Sequence, residues 1–373
     1  MKNQFIQDFW NGVSQFGRLL SHSFLLFFRN SLRYRSYFLI NILGLSAGLA
    51  STFLIYLWVE DELSVDAFYQ KSEQIYQIFE SHKINHQLET FSSTPVPLLE
   101  TLENEFPEVE KAVAIFPPEN DKQGIISHPE SSIRFKVEGQ YVSPDFFEVF
   151  SHSLLTGDPQ AFQNNKRAVF ISRPLAKKLF KGENPLGKFI EWDYQSYGGN
   201  FQVAGVFAET PKAARMQFDV LFHWDLILKE RPNLEHWYNS YPDTYVLLSK
   251  EASPEQFNAK IKNLEQTKDE RARGILLAQK YRDGYLYGSF ENGQVAGGRI
   301  AYVRLFSIIA LFILLISCIN FMNLATARAS RRLKEIGVKK ALGAHRGLLI
   351  MQYLGESLLM TSLAFILALG WIY

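Results

Sequence analysis

Tyr37-Phe-Leu-Ile-Asn41-Ile-Leu-Gly44-Leu-Ser-Ala-Gly48-Leu-Ala-Ser51-Thr-Phe-Leu-Ile-Tyr-Leu-Trp58 runs for 22 residues without a charge. As a helix it covers about 33 Å, enough to cross a hydrocarbon core of about 30 Å. It starts only after 36 residues and has no small-residue cleavage site, so it reads as a retained anchor and not as a secretory leader. Arg29, Arg33 and Arg35 stand before it, and Glu60, Asp61, Glu62 and Asp66 stand after it. Segments rich in Lys and Arg stay in the cytoplasm, which places the N-terminus inside.

Outward from that anchor, a second uncharged run occupies residues 305–327, and a third apolar stretch occupies residues 357–373. Between them lie Arg328, Arg331, Arg332, Lys334, Lys339, Lys340 and Arg346, so this loop is also expected inside. Residues 59–304 are then outside, tethered to the membrane at both ends. The expected organisation is a cytoplasmic or interfacial segment (1–36), a first span (37–58), an external domain (59–304), a second span (305–327), an inner helical segment (328–356) and the start of a third span (357–373). The chain is expected to end inside that third span. Residues 345–356 are expected to lie along the inner interface, which spares Glu356 a place in lipid. Residues 16–28 mix Leu and Phe with Arg18 and His22 and suit an interfacial amphipathic helix or a continuation of the first span.

The chain is 47% hydrophobic with a formal net charge of +1, and its basic residues cluster beside apolar runs. A nucleic-acid partner is therefore not expected. Cys318 is the single cysteine, so the external domain has no disulfide framework to rely on. That domain reads as α+β. Alternation predicts a strand at 75–79, and further strands are expected at 111–116, 133–142, 168–172, 189–192, 201–207 and 244–248. Prolines open predicted helices at 97–106, 174–180 and 254–264. Two subdomains are expected, the later inserted into the earlier, which residues 243–275 complete. The glycine-rich residues 284–298 are predicted to be a loop.

Two motifs mislead. Gly182 to Phe189 has phosphate-loop spacing, but Phe189 stands where a Ser or Thr must meet magnesium, and the order helix, motif, strand is reversed. His82 and His86 are four apart, but Lys83 replaces the Glu of a zinc protease, so they read as a solvated loop pair. No catalytic, metal or cofactor-binding residue is predicted. Gly44 and Gly48 form a GxxxG with Ser51 continuing the stripe, which permits close helix packing, although glycine is also common in spans that pack nothing. Asn320 and Asn323, one turn apart, can bond across helices or reach the interface.

Cys318-Ile-Asn-Phe-Met-Asn-Leu-Ala-Thr-Ala-Arg328-Ala-Ser-Arg-Arg-Leu-Lys-Glu335-Ile-Gly337-Val-Lys-Lys-Ala-Leu-Gly343-Ala344 closely resembles the signature of the FtsX-like permease family. Residues 169–180, Asn184-Pro-Leu-Gly187-Lys188 and Val203-Ala-Gly205-Val206 are similar to the MacB-like periplasmic core domain of that family. The resemblance covers nearly the whole chain from about residue 20 and implies an inner-membrane ABC-transporter permease with a fourth span. It implies membrane lipids around the spans, a separate ABC ATPase subunit that binds ATP, a second permease copy or half, and a periplasmic adaptor or lipoprotein partner. It also implies that the helix holding Arg331, Arg332, Glu335, Ile336, Gly337, Ala341, Leu342 and Gly343 docks on the ATPase. The residues themselves agree: this is a compact basic helix ended by Gly343, with Leu333, Ile336 and Leu342 as an apolar edge. A membrane-surface role for its lysines is the alternative. The function expected is export or lipoprotein extraction. A regulator of external partners without transport and a simple anchor are the alternatives.

Overall fold

A computed structural model describes residues 35–116, 123–129, 133–194, 197–331 and 333–373. The predicted interfacial segment at 16–28 lies outside them. The chain divides into two units, one formed by its N-terminal part up to Glu60 together with Tyr302–Tyr373, the other by Asp61–Ala301. Helix α1 (Arg35–Ser64) carries the first apolar run and continues past Trp58 through Glu60, Asp61 and Glu62.

In the external unit, β1 (Ile75–Ile84) turns into β2 (Gln87–Phe91) and the short β3 (Ser93–Pro95). Helix α2 (Pro97–Glu105) starts on a proline, whose missing N–H costs nothing at a helix N-terminus, and buries Leu98, Leu99 and Leu102. Then follow β4 (Val109–Phe116), β5 (Gln123–Ser127), β6 (Arg134–Val142), α3 (Phe146–Phe150), β7 (Leu154–Gly157), α4 (Ala161–Asn164) and β8 (Ala168–Ser172). Ser172 caps α5 (Arg173–Phe180) by accepting the Leu175 amide at 3.3 Å. After β9 (Phe189–Asp193), β10 (Gly199–Phe207), β11 (Val220–His223) and α6 (Asp225–Glu230), the chain returns through β12 (Ser240–Leu248). Helices α7 (Pro254–Ile261) and α8 (Leu264–Lys268) precede β13 (Ile275–Lys280). The single helix predicted at 254–264 is thus two, broken at Lys262-Asn263.

These strands form one 13-stranded sheet with two regions. Hydrogen bonding runs β11-β8-β10-β9-β5-β6, and β6 pairs back with β11, closing a ring. From β6 the sheet opens through β4, β12, β1 and β13. Among the described residues, only Ile115↔Val142 and Phe116↔Tyr141 join β4 to β6. Because β12 and β13 flank β1, residues late in the chain complete a sheet begun before the ring, and the ring strands are an insertion between β4 and β12.

Both faces of this sheet are buried, so its strands read as apolar runs more than as clean alternation. In β4, Ala112, Ala114 and Phe116 enter one core while Val113 and Ile115 enter the other. In β12, Val246 and Leu248 oppose Tyr245 and Leu247 in the same way. Trp192 fills the ring, 2% exposed, with its indole N–H donating to the Tyr141 hydroxyl at 3.1 Å. Gly139 and Gly124 leave room for it; a Cβ on Gly124 would come within 2.2 Å of the indole.

Two loop readings are corrected. Residues 284–298 contain a hairpin, β14 (Ser289–Glu291) with β15 (Gln294–Gly297), turned by Asn292-Gly293 at φ 51 and 75. Asn-Gly tolerates left-handed backbone at both central positions, which is what a two-residue hairpin turn needs. His82 and His86 do not form a loop pair: His82 lies in β1, and His86 sits with Asn85 in the β1–β2 turn, at φ 70 and 48.

After Ile300, helix α9 (Ile300–Arg331) holds the second apolar run, followed by α10 (Leu333–Ala341) and α11 (Arg346–Ile372). Among the described residues, three helices, Arg35–Ser64, Ile300–Ala327 and Leu349–Ile372, are long and apolar enough to cross a membrane. The separate interfacial helix expected at 345–356 is not seen. Residues 346–372 are one uninterrupted helix, and Glu356 is buried within it at 8% exposure. A carboxylate does not interrupt backbone hydrogen bonding, and a lone Gly355 costs only about 1 kcal/mol, so elongation continues through both.

Trp192→Ala is expected to lower stability by about 3–5 kcal/mol, and Trp192→Phe by much less, measured as chemical denaturation followed by near-UV circular dichroism.

Candidate functional site

The helical unit is built around α1. A Cβ on Gly48 would lie 1.8 Å from Ser317 Oγ, and one on Gly44 would lie 3.1 Å from the Asn320 amide nitrogen. Thr52, one turn on, donates its hydroxyl to Gly48 O at 2.8 Å and reaches Ala310 O at 3.4 Å. Small residues let the α1 and α9 backbones approach where hydrocarbon gives no hydrophobic drive for association. Ile42 and Leu45 meet Ala364 of α11, with Phe321, Leu363 and Leu367 around them. Nearer the outer end, Trp58 meets Phe306 edge-on at 5.0 Å.

Helix α10 stands beyond the spans. Arg331 ends α9, and Arg332 lies outside the described residues. Glu335 and Gly337 are exposed, Ile336 is half-buried, and Ala341 is exposed. Nothing stands within 4 Å of where a Gly337 Cβ would point. Val338 and Leu342, one turn apart, are 61% and 83% exposed. Lys339 Nζ donates to Gln352 Oε1 of α11 at 3.2 Å, which fixes one side of α10 against that helix. The end is a Schellman turn: Ala344 N–H donates to Lys339 O and Gly343 N–H to Lys340 O, both at 3.0 Å, with Gly343 at φ 90. Successive residues turn by about 100°, so Leu333 and Leu342 stand on opposite sides, while Val338 and Leu342 share one. Val338 is the member of the exposed apolar pair that the sequence reading leaves out; its i, i+4 spacing to Leu342 was the available signal. This helix presents an apolar pair beside a carboxylate.

Residues 38–264 match the family model of the MacB-like periplasmic core domain, and residues 307–373 match that of the FtsX-like permease C-terminal region. The chain belongs to the MacB-like, FtsX-type permease family. The macrolide export ATP-binding/permease protein MacB of Neisseria gonorrhoeae is 25% identical over 265 residues, 69% of this chain and 38% of that protein. The ABC transporter permease YvrN of Bacillus subtilis is 24% identical over 246 residues, 61% of this chain and 54% of YvrN. The chain thus spans about 38–54% of the length of these relatives. Among solved structures, a domain of a putative permease from Porphyromonas gingivalis superposes with a TM-score of 0.48 at 19% identity, covering 57% of this chain and 93% of that one. The periplasmic region of MacB from Actinobacillus actinomycetemcomitans gives a TM-score of 0.40 at 14% identity, covering 55% and 89%.

This MacB-like permease is a multi-pass membrane protein whose large domain is of the periplasmic type. That domain also holds a charged cluster which sequence reading missed. Asp66, two residues beyond α1, is fully buried at φ 58. Its carboxylate accepts the Arg215 amide at 2.9 Å and meets Arg215 Nε at 3.2 Å. Arg215 also donates to Tyr281 O at 3.1 Å and lies 4.4 Å from the Tyr281 ring centroid. One guanidinium therefore ties the chain just after the first span to the segment that leads toward the second. Burial pushes the Asp66 carboxyl up, against the pull of Arg215 downward. Nearby, burial pushes His152 down to about 4, so the imidazole that stacks on Phe146 at 5.7 Å is neutral. In sequence Asp66 looks like one more acid after the span; only its burial distinguishes it.

Arg215→Met strands a buried carboxylate and is expected to cost about 3 kcal/mol. The loss should be larger at pH 7 than at pH 5. Asp66 then has a raised folded pKa, so its protonated form relieves the variant as pH falls. Thermal unfolding at the two pH values checks this.

Proposed function

We propose that the chain is the permease part of an ABC transporter, coupling ATP hydrolysis on a separate ATPase subunit to movement of a substrate on the periplasmic side. The observation that carries this reading is α10, a capped helix outside the spans that leaves Val338 and Leu342 exposed beside Glu335. Exposed apolar side chains of this size on a short helix are what a partner surface covers. Membership in a family whose named relatives are ABC permeases supports the ATPase as that partner. Within the family, the Neisseria MacB is named as both ATP-binding and permease, whereas YvrN is named as permease alone. A separate ATPase chain is the reading here, in line with the permease-only name of YvrN; Gly182 to Phe189 is a helix-to-strand turn.

In this reading the permease itself is non-catalytic and holds no cofactor. Glu335, Ile336, Gly337 and Ala341 of α10, with Leu342 and Gly343 at its end and Arg331 and Arg332 assigned to it from the sequence, form the coupling segment, and the Lys339–Gln352 contact passes its displacement to α11. Lipid and a second permease copy or half cover α9, along which Leu305, Ile308, Phe312, Ile316 and Ile319 are exposed. The buried Gly48–Ser317 seam makes α1 and α9 move as a pair. Export assigns the external domain the substrate or a periplasmic adaptor; lipoprotein extraction assigns it the lipoprotein.

Changing Glu335 and Ile336 together to Ala is expected to reduce stimulated ATPase activity at least about tenfold, equivalent to about 1.4 kcal/mol of docking free energy. The thermal midpoint of the permease should not move. Affinity purification of wild type and variant, with every co-purifying chain identified, reads the same contact directly. Recovery of no ATPase with either form would remove the coupling role.

A further inference from the structure

Glu80 in β1 and Glu265 in α8 meet inside the external domain, 2% and 0% exposed. Glu265 Oε2 accepts the Gly274 amide at 3.1 Å, and Glu80 Oε1 lies 2.6 Å from His82 Nε2. The two remaining oxygens, Glu265 Oε1 and Glu80 Oε2, are buried without a donor, and the two carboxyls crowd the same point beside Gly274. Two carboxylates cannot hydrogen-bond, but a carboxylic acid and a carboxylate can. Burying two adjacent negative charges is far more costly than burying one charge and one neutral acid.

The surroundings offer little to hold a second negative charge. From β1 comes His82, 40% exposed at its side chain. From β2 comes Glu89, the cross-strand neighbour of His82, exposed and acidic. From α8 itself comes Lys268, which is paired with Glu105. Arg273, beside Gly274, is exposed. Gly274 closes over the pair, since a Cβ there would come within 2.2 Å of Glu265 Oε2 and 2.4 Å of Glu80 Oε1.

We propose that Glu80 and Glu265 share one proton, and that this proton holds α8 and the loop at Gly274 against β1, so that the domain loosens there as external pH rises. The site lies outside the predicted spans and titrates with the medium on that side. It does not depend on the transport reading. Burial, then the Glu80 charge, push the Glu265 carboxyl up to about 8, and contact with Glu80 raises His82. A carboxyl raised on folding binds its proton more tightly in the native chain. The stability it confers is therefore fully present below about 4.5 and is lost as pH climbs through about 8.

Thermal unfolding of the full chain in detergent tests this between about pH 5.5 and about pH 9, with wild type beside Glu265→Gln, Glu80→Gln and His82→Gln. Wild type should lose at least about 5 °C more over that range than Glu265→Gln, whose amide supplies permanently the donor that the proton supplies in wild type. Glu80→Gln should be equally flat, and His82→Gln should keep most of the wild-type fall. Parallel curves for wild type and both Glu variants would overturn the proposal. So would failure of both variants to fold, because the amide would then not replace the proton. Stabilisation of wild type by millimolar calcium or zinc near pH 9, absent from Glu265→Gln, would overturn it in favour of a metal ion.

Discussion

Inside hydrocarbon a backbone amide or carbonyl finds no water, so a segment that crosses must satisfy every such group within itself. That requirement decides the helical unit. It makes α11 continuous through Gly355 and Glu356, where a reading based on side-chain polarity alone ends one helix and starts another. It also changes what holds helices together. With lipid as apolar as any side chain, close backbone approach and local polar contacts do the work, and Gly48 against Ser317, with Thr52 beside them, supplies both.

Outside the spans the solvent is water and the constraint reverses. The external domain buries a sheet on both faces, and its stability rests on apolar area with a few polar groups satisfied inside. Trp192 has Tyr141; Thr94 has Thr244, hydroxyl to hydroxyl at 2.7 Å. Asp66 has Arg215, an ion pair whose desolvation is offset by an additional amide and a carbonyl contact. Glu80 and Glu265 have no cation of comparable burial, and a proton is the simplest remaining partner. The same low dielectric thus treats two buried acids differently, according to whether a guanidinium reaches them.

Much of this architecture was legible in the residues. Charge-free runs of span length and the Lys/Arg imbalance beside them need no tertiary information. Prolines at helix starts located α2, α5 and α7. What misled were short-range signals overridden or overlooked. The Asn292-Gly293 turn was present in the sequence, but the surrounding glycines made the region look like loop. His82 and His86 were judged by spacing, while pairing of β1 with β2 put one in a strand and the other in a turn. On α10, the cap at Gly343, the carboxylate at Glu335 and the i, i+4 spacing of Val338 and Leu342 were readable, whereas which side stays exposed depended on the contact with Gln352.

The sequence by itself determined the number and direction of the membrane runs, the α+β character of the domain between them, and the family, because each rests on local composition or on contiguous motifs. Tertiary structure alone decided that β6 pairs with β11 to close a ring, that Asp66 meets Arg215 across 149 positions, and that Glu80 meets Glu265. These contacts join residues far apart in the chain, and their energies come from burial, a property of the folded neighbourhood that no local stretch of sequence carries.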